Sequence, residues 1–210
     1  DMDSTLISIE CVDEIADFVG KKAEVSAITE AAMRGELDFN ASLTRRVALL
    51  KGLSTEVLNE VYNKRLQLNP GAETLLDGLK QRHIRTALVS GGFTFFTDKL
   101  QTRLGFDFVL SNRLQINGNN LTGGIDGDIV NADKKAQFLQ NTCEAIGATT
   151  AQAIAAGDGA NDLKKMHLSG LSVAYRAKPT VRAQADIQIN YSGLDSILHV
   201  LHATTNQTAN

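Results

Sequence analysis

Between residues 72 and 202 the sequence alternates helical segments with short apolar runs, and this alternation constrains the fold more than any other feature. The apolar runs lie at residues 84–89, 106–110, 151–156, 171–174 and 187–189. Strands that alternate with helices form mostly parallel sheets with helices on both faces. The pattern therefore predicts an α/β fold with a mostly parallel sheet.

The segment from residue 10 to residue 68 has helical periodicity and no strand-like alternation. Its first apolar stripe consists of Val12, Ile15, Ala16 and Val19. Pro70-Gly71 ends the pattern, and a stretch rich in glycine and asparagine at 113–130 predicts a hairpin. We expect a Rossmann-like α/β core, an inserted helical cap and a flexible tail, with these bounds: core 1–9 and 70–203, cap 10–69, tail 204–210.

Two short segments each place two carboxylates close together. The chain opens with Asp1-Met2-Asp3, and Asp158 and Asp162 lie in a glycine-rich segment that follows an apolar run. Neighbouring carboxylates resist joint ionisation unless a cation lies between them. Mg²⁺ prefers such oxygen ligands, and open α/β sheets bind ligands at the carboxyl ends of their strands. The sequence therefore predicts a Mg²⁺ site at one sheet edge.

Four strand-end loops, taken in order, resemble the haloacid dehalogenase superfamily of phosphotransferases. They are Asp1-Met2-Asp3-Ser4-Thr5, Ser90-Gly91-Gly92, Lys134-Lys135 and Gly157-Asp158-Gly159-Ala160-Asn161-Asp162. Each loop alone has an ordinary structural explanation as a turn, a helix cap or a solvated surface. Their combination, order and spacing carry the resemblance, which covers the chain apart from its tail.

The resemblance implies hydrolysis of a phosphate monoester through an aspartyl-phosphate. Asp1 is then the nucleophile, and Asp3 is the general acid that protonates the leaving oxygen and later deprotonates water. Protonation of the leaving oxygen requires that Asp3 carry a proton at neutral pH, so we expect the surroundings of Asp3 to raise its pKa.

The resemblance also assigns ligands to metal and phosphate. Mg²⁺ would be bound by the Asp1 carboxylate, the Asp3 carbonyl and Asp158. The phosphoryl group would be bound by Ser90, Gly91, Lys135 and Asn161, with Gly92 and Asp162 in support. Lys135 is favoured over Lys134 by its spacing from the preceding strand.

Within the superfamily, the cap residues resemble those of enzymes that act on O-phosphoserine, in the last step of serine biosynthesis. Glu10 would bind the ammonium group and Arg46 the carboxylate, while Met33 and Phe39 would wall the pocket. Without the resemblance, Glu10 is an ordinary surface acid and Arg46 belongs to a solvated basic face. Arg45 is the competing assignment for the carboxylate ligand.

Composition limits the partners. A net charge of −3 and a pI near 5.8 give no electrostatic reason to expect nucleic acid or an anionic membrane. No run reaches the about 18 apolar residues of a membrane span. Cys11 and Cys143 lack metal-ligand spacing, and free thiols fit a cytoplasmic protein. We expect a small-molecule substrate.

Two other functions are compatible with the same loops. One is a different small-molecule phosphatase or phosphotransferase of the superfamily, which would not need the Glu10 and Arg46 pair. The other is a Mg²⁺-dependent signalling module phosphorylated on aspartate, resembling response regulators. The helical cap and the acid/base group at Asp3 argue against the module.

The sequence departs from the family pattern before Asp1, where members have an apolar strand and this sequence has no residue. We therefore expect the central strand to be missing from the sheet and its neighbours to have unpaired backbone groups. The sequence is expected to be a fragment of a longer chain.

Overall fold

A computed structural model describes residues 1–33 and 36–207. Arg34 and Gly35, the side chain of Met33, and the side chains from residue 202 onward lie outside this description. No helix in the described ranges has the length and apolar character needed to cross a membrane.

The part of the chain between the first turn and residue 64 is helical. Its helices are α1 Cys11–Phe18, α2 Lys22–Met33, α3 Phe39–Ala48 and α4 Glu56–Lys64. They form because apolar residues recur on one face of each helix, and those faces are buried: Ile15 in α1, Leu43 in α3 and Val61 in α4 are at most 2% exposed. The Asp38 side chain caps α3 by accepting from the amide of Ala41 at 2.7 Å. The assignment of residues 10–69 to a separate cap stays a prediction.

The remaining elements alternate between helix and strand. The helices are α5 Ala72–Gln81, α6 Thr94–Leu104, α7 Ala132–Ala145, α8 Leu163–Leu168, α9 Pro179–Arg182 and α10 Ser196–Gln207. The strands are β1 Ala87–Phe93, β2 Phe108–Asn117, β3 Asn120–Asp126, β4 Ile154–Gly157, β5 Leu171–Tyr175 and β6 Ile187–Ile189. Helix α10 continues past residue 204, where the tail was predicted to begin.

The strands form two three-stranded sheets, ordered β1-β2-β3 and β4-β5-β6. The pairs β1-β2, β4-β5 and β5-β6 are parallel, and only the predicted hairpin β2-β3 is antiparallel. The prediction of an α/β fold with a mostly parallel sheet is confirmed. Each predicted run overlaps an observed strand, but the runs at 84–89, 106–110 and 151–156 begin before β1, β2 and β4 do, and β1 and β2 extend further toward their carboxyl ends.

The two sheets do not pair with each other. Strands β1 and β4 each have one neighbour, and a cavity of about 420 Å³ lies between them, lined by residues of both strands and by α5 and α7. The α-amino group of Asp1 donates to the carbonyl of Ala156 in β4 at 3.1 Å, so the first residue lies at the carboxyl end of that strand.

Candidate active site

The first loop turns sharply at its fourth residue. Ser4 has a φ of 56°, in the left-handed region that few residues other than glycine adopt. The Asp1 carboxylate accepts from the amide of Met2 at 2.8 Å, which fixes its Oδ1 atom. Further along the loop, the buried hydroxyl of Thr5 donates to Asp158 Oδ1 at 3.3 Å. The turn therefore ties the first acidic segment to the second.

Lys135 joins the same two segments. It lies in the first turn of α7, whose amino terminus is capped by the Asn131 side chain, and it is fully buried. Its ammonium donates to Asp1 Oδ1 at 2.9 Å and to Asp162 Oδ1 at 3.0 Å. Lys134, the neighbour that competed with it in the sequence, is partly exposed, with 43% of its side chain accessible, and pairs with Asp128.

The carboxylates of Asp1, Asp158 and Asp162 lie close enough to hold a cation, since one oxygen of each falls within 4.8 Å of the others. Burial, with the charges of Asp162 and Glu10, raises the pKa of Asp158 to about 6. Asp162 differs: burial would raise its pKa, but Lys165 and Lys135 hold it well below its usual range. A cation would relieve the unfavourable charge at Asp158, so this donor set fits a hard metal ion.

Asp3 has the electrostatics of an acid that keeps its proton. Burial, reinforced by the charge of Glu10, raises the pKa of Asp3 from 3.8 to about 8. Its Oδ2 accepts from the amide of Cys11 at 3.3 Å, while Oδ1 is buried with no hydrogen-bond partner among the described residues. An unpartnered buried oxygen at a reaction centre is available to a substrate or to water.

Ser90, Gly91 and Gly92, which were predicted to form a loop after the strand, lie at the carboxyl end of β1 and approach Asp3 closely. A Cβ atom on Gly92 would lie 2.7 Å from Met2 Cε, 3.1 Å from Ser90 Oγ and 3.2 Å from Asp3 Oδ2, so a side chain at this position would force its neighbours to shift. The amide of Gly92 donates to Ser90 Oγ at 2.8 Å. The side-chain amide of Asn112 in β2 donates to the carbonyl of Gly91 at 2.8 Å and so holds the carboxyl end of β1 in place.

The helices before residue 64 contribute a charged group near this centre. The Glu10 carboxylate accepts from the Ser4 hydroxyl at 2.5 Å, so the Glu10 side chain lies against the first loop. Arg46 lies on α3 with its side chain 13% exposed, and its Nη1 is 4.0 Å from Asp13 Oδ1. Arg46 Nε is buried without a hydrogen-bond partner among the described residues, which leaves a donor for an anion.

Phe39 begins α3 and contacts the carboxyl end of β1. Its Cζ would lie 2.8 Å from a Cβ atom built on Gly91, so the ring packs directly against the backbone there. Asn161 is half-buried and adjoins Gly159, where its Oδ1 would lie 2.5 Å from an added Cβ. Met33 has no described side chain, so its predicted place in the pocket lies outside the described residues.

The structure thus brings the first loop, the carboxyl end of β1, Lys135 and the acidic loop after β4 together at one edge. Sequence reasoning missed Thr5, Asp13 and Lys165, which contact Asp158, Arg46 and Asp162 respectively. Lys165 follows Asp162 by three residues on a helix, and that spacing was an available signal.

Comparison with known proteins agrees with this arrangement. The model of the haloacid dehalogenase-like hydrolase family matches residues 1–167. A phosphoserine phosphatase from Polaromonas sp. (strain JS666 / ATCC BAA-500) is 55% identical over 206 residues, covering 96% of this chain and 87% of that protein. Two solved structures, a phospho-aspartyl intermediate analogue of phosphoserine phosphatase and a substrate-bound phosphoserine phosphatase complex, each have a TM-score of 0.89. Both are 38% identical, with 95% of each chain covered.

The chain therefore belongs to the haloacid dehalogenase-like hydrolases. Among these, the proteins that it resembles in both sequence and structure are phosphoserine phosphatases.

Proposed function

We propose that this chain hydrolyses O-phospho-L-serine to serine and phosphate, through an aspartyl-phosphate at Asp1 and with Mg²⁺ as cofactor. The observation that carries the proposal is the buried contact between Lys135 and Asp1 beside Asp158, with Asp3, whose pKa is raised to about 8, in the same loop as Asp1. The similarity to phosphoserine phosphatases supports the substrate. We further propose that it acts in serine biosynthesis in the cytoplasm.

In the first step, an Asp1 carboxylate oxygen forms a bond to phosphorus while the bond from phosphorus to the serine oxygen breaks. Asp3 donates its proton to that departing oxygen, so serine leaves as a neutral alcohol. The raised pKa of Asp3 keeps the proton available at neutral pH.

In the second step, water attacks the aspartyl-phosphate and Asp3, now ionised, takes the proton of the water. The Asp1 carboxylate and inorganic phosphate are released, and Asp3 is protonated again. Lys135 stays between Asp1 and Asp162 and balances the negative charge that the phosphoryl group brings.

Residues that would hold Mg²⁺ are Asp1, Asp158 and the backbone carbonyl of Asp3. When bound, the ion would neutralise phosphoryl charge and position the group for in-line attack. Thr5 orients Asp158 toward this position through its hydroxyl. Ser90, Gly91, Asn161 and Lys135 would bind the phosphoryl oxygens.

The amino-acid part of the substrate would be bound by Glu10 and Arg46. Glu10 would accept from the substrate ammonium, and the unpartnered Arg46 Nε would donate to the carboxylate. Phe39 would exclude water from this side, together with Met33. Because Glu10 and Arg46 would bind the two charged groups of an amino acid, a phosphorylated amino acid would be preferred over a phosphosugar.

Two variants test this assignment. Arg46→Ala and Glu10→Gln should lower kcat/KM for phosphoserine about a hundredfold or more, because each leaves a charge of the substrate unpaired. Turnover of p-nitrophenyl phosphate, which lacks both charges, should change less than about threefold. Arg45→Ala is the matched control, since Arg45 is exposed on the same helix. Equal losses on both substrates, or a larger loss in Arg45→Ala, would refute the proposed pair.

A further inference from the structure

Lys165 is a second buried lysine at the catalytic edge, and the mechanism above does not use it. It lies on α8, three residues after Asp162, with its side chain 4% exposed. Its ammonium donates to Asp162 Oδ1 at 2.8 Å and to the carbonyl of Ala156, at the end of β4, at 3.0 Å. Burying an ammonium group is costly unless charge and hydrogen bonds compensate for it.

Both lysines contact the same oxygen. Asp162 Oδ1 lies 3.0 Å from the ammonium of Lys135 and 2.8 Å from that of Lys165. The carboxylate is fully buried, and its other oxygen contacts only the amide of Gly159 among the described residues, at 3.4 Å. One carboxylate therefore pairs with two lysine ammonium groups, and the α-amino group of Asp1 lies beside them on the carbonyl of Ala156.

This sharing changes the charge that Lys135 presents to Asp1. If Asp162 paired with Lys135 alone, its negative charge would cancel the positive charge of Lys135, and the pair would carry no net positive charge beside Asp1. With Lys165 also bound, the three groups carry a net charge of about +1, and water does not screen it at this depth. Lys135 is the member of the three that contacts Asp1.

We propose that Lys165 is a positioning residue for phosphoryl transfer: it satisfies Asp162 so that the charge of Lys135 acts on Asp1 and the phosphoryl group. This inference rests on the proposed chemistry at Asp1. It does not depend on which phosphate ester is the substrate, because Lys165 contacts none of the residues assigned to the amino-acid part.

The test compares Lys165→Met with Lys165→Arg, and with Lys164→Met as a matched control. Lys164 is the adjacent lysine, 56% exposed and paired with Asp133. Lys165→Met should lower kcat at least about tenfold, equally for phosphoserine and p-nitrophenyl phosphate, and should leave KM for phosphoserine within about threefold. Lys165→Arg should recover part of the rate, and Lys164→Met should match the wild type.

Thermal unfolding separates this role from a structural one. Lys165→Met removes one of the two ammonium groups paired with the buried Asp162, which keeps Lys135 as its partner, so this variant should still be folded at the assay temperature while it loses activity. A parallel loss of Tm and rate in Lys165→Met, with no recovery in Lys165→Arg, would overturn the proposal.

A double-mutant cycle tests whether Lys165 acts through Asp162. In an Asp162→Asn background, Lys165→Met should lower kcat less than about twofold further, because the shared charge is already gone. A full additional loss would overturn the proposal, as would wild-type kcat in the single variant.

Binding of inorganic phosphate with Mg²⁺, measured by calorimetry, gives a readout that is independent of turnover. We expect at least about fivefold weaker binding in Lys165→Met; unchanged binding would contradict the role. A wild-type protein that hydrolyses only other phosphate esters would refute the substrate but not the role of Lys165, since the same variants can be compared on those esters.

Discussion

Lys135 and Asp1 are 134 positions apart in the chain, yet the lysine ammonium lies 2.9 Å from the aspartate Oδ1 in the buried centre of the site. The contact exists because the first loop and α7 both lie at the carboxyl end of β4, where Asp162 also contacts Lys135. It places a fixed positive charge on the group proposed to attack phosphorus, before any substrate is bound.

Removal of this charge should stop phosphoryl transfer. Lys135→Met should lower kcat at least about a hundredfold, because the phosphoryl group then approaches Asp1 without a cationic side chain. Steady-state kinetics with saturating phosphoserine measure the effect. Lys134→Met is the control, since Lys134 pairs only with the exposed Asp128 in the described structure. If Lys134→Met were the slower variant, the assignment of the phosphate-binding lysine would be reversed.

Asp3 should make stability depend on pH. Its pKa is raised from 3.8 to about 8 in the folded chain, so folding favours the protonated form. This contribution is fully present below pH 4 and is lost as pH rises toward 8. Asp3→Asn imitates the protonated form, so its Tm relative to the wild type should increase between pH 4 and pH 8 and then level off.

Scanning calorimetry without Mg²⁺, at intervals from pH 4 to pH 9, measures this difference. Asp128→Asn, which changes an acid whose side chain is 82% exposed, provides the baseline. A Tm difference for Asp3→Asn that stays constant with pH would show that Asp3 is ionised in the folded protein.

The contact between Phe39 and Gly91 should control substrate binding. A methyl group added at Gly91 would lie 2.8 Å from Phe39 Cζ, and overpacking of this kind costs about 1–3 kcal/mol. Gly91→Ala should therefore displace the ring and raise KM for phosphoserine about tenfold. Combining it with Phe39→Leu, which removes Cζ, should lower KM again relative to Gly91→Ala alone. No difference between the single and double variants would show that the ring is not the obstacle.

The sequence was sufficient to predict the class of fold and the loops that form the site, because each loop combines a strand end with polar residues of matching chemistry. Asp1, Asp158 and Asp162 could be grouped without coordinates, since parallel strands end at one edge. The start of β1 was placed too early because Ile84 and Thr86 are typical of strands, yet residues 84–86 have no regular structure and lead from the turn after α5 into β1.

The residues that sequence reasoning missed depend on contacts between distant segments. Thr5 belongs to the first loop, but only the structure shows that its hydroxyl reaches Asp158. Lys165 is one of two adjacent lysines, and only its burial beside Asp162 distinguishes it from Lys164. The Thr5 contact spans 153 positions, which local sequence does not specify, and the spacing from Asp162 indicates Lys165 without showing that it is buried.

Phosphate release from a panel of esters, with and without Mg²⁺, tests the central claim most directly. The panel contains L-phosphoserine, D-phosphoserine, phosphothreonine, glucose 6-phosphate and a nucleoside monophosphate. We predict turnover that is abolished by chelation of Mg²⁺, restored by its return, and at least about a hundredfold faster with L-phosphoserine than with the sugar phosphate or the nucleotide. Equal rates across the panel, a preference for the sugar phosphate, or turnover that is unaffected by chelation would contradict the account.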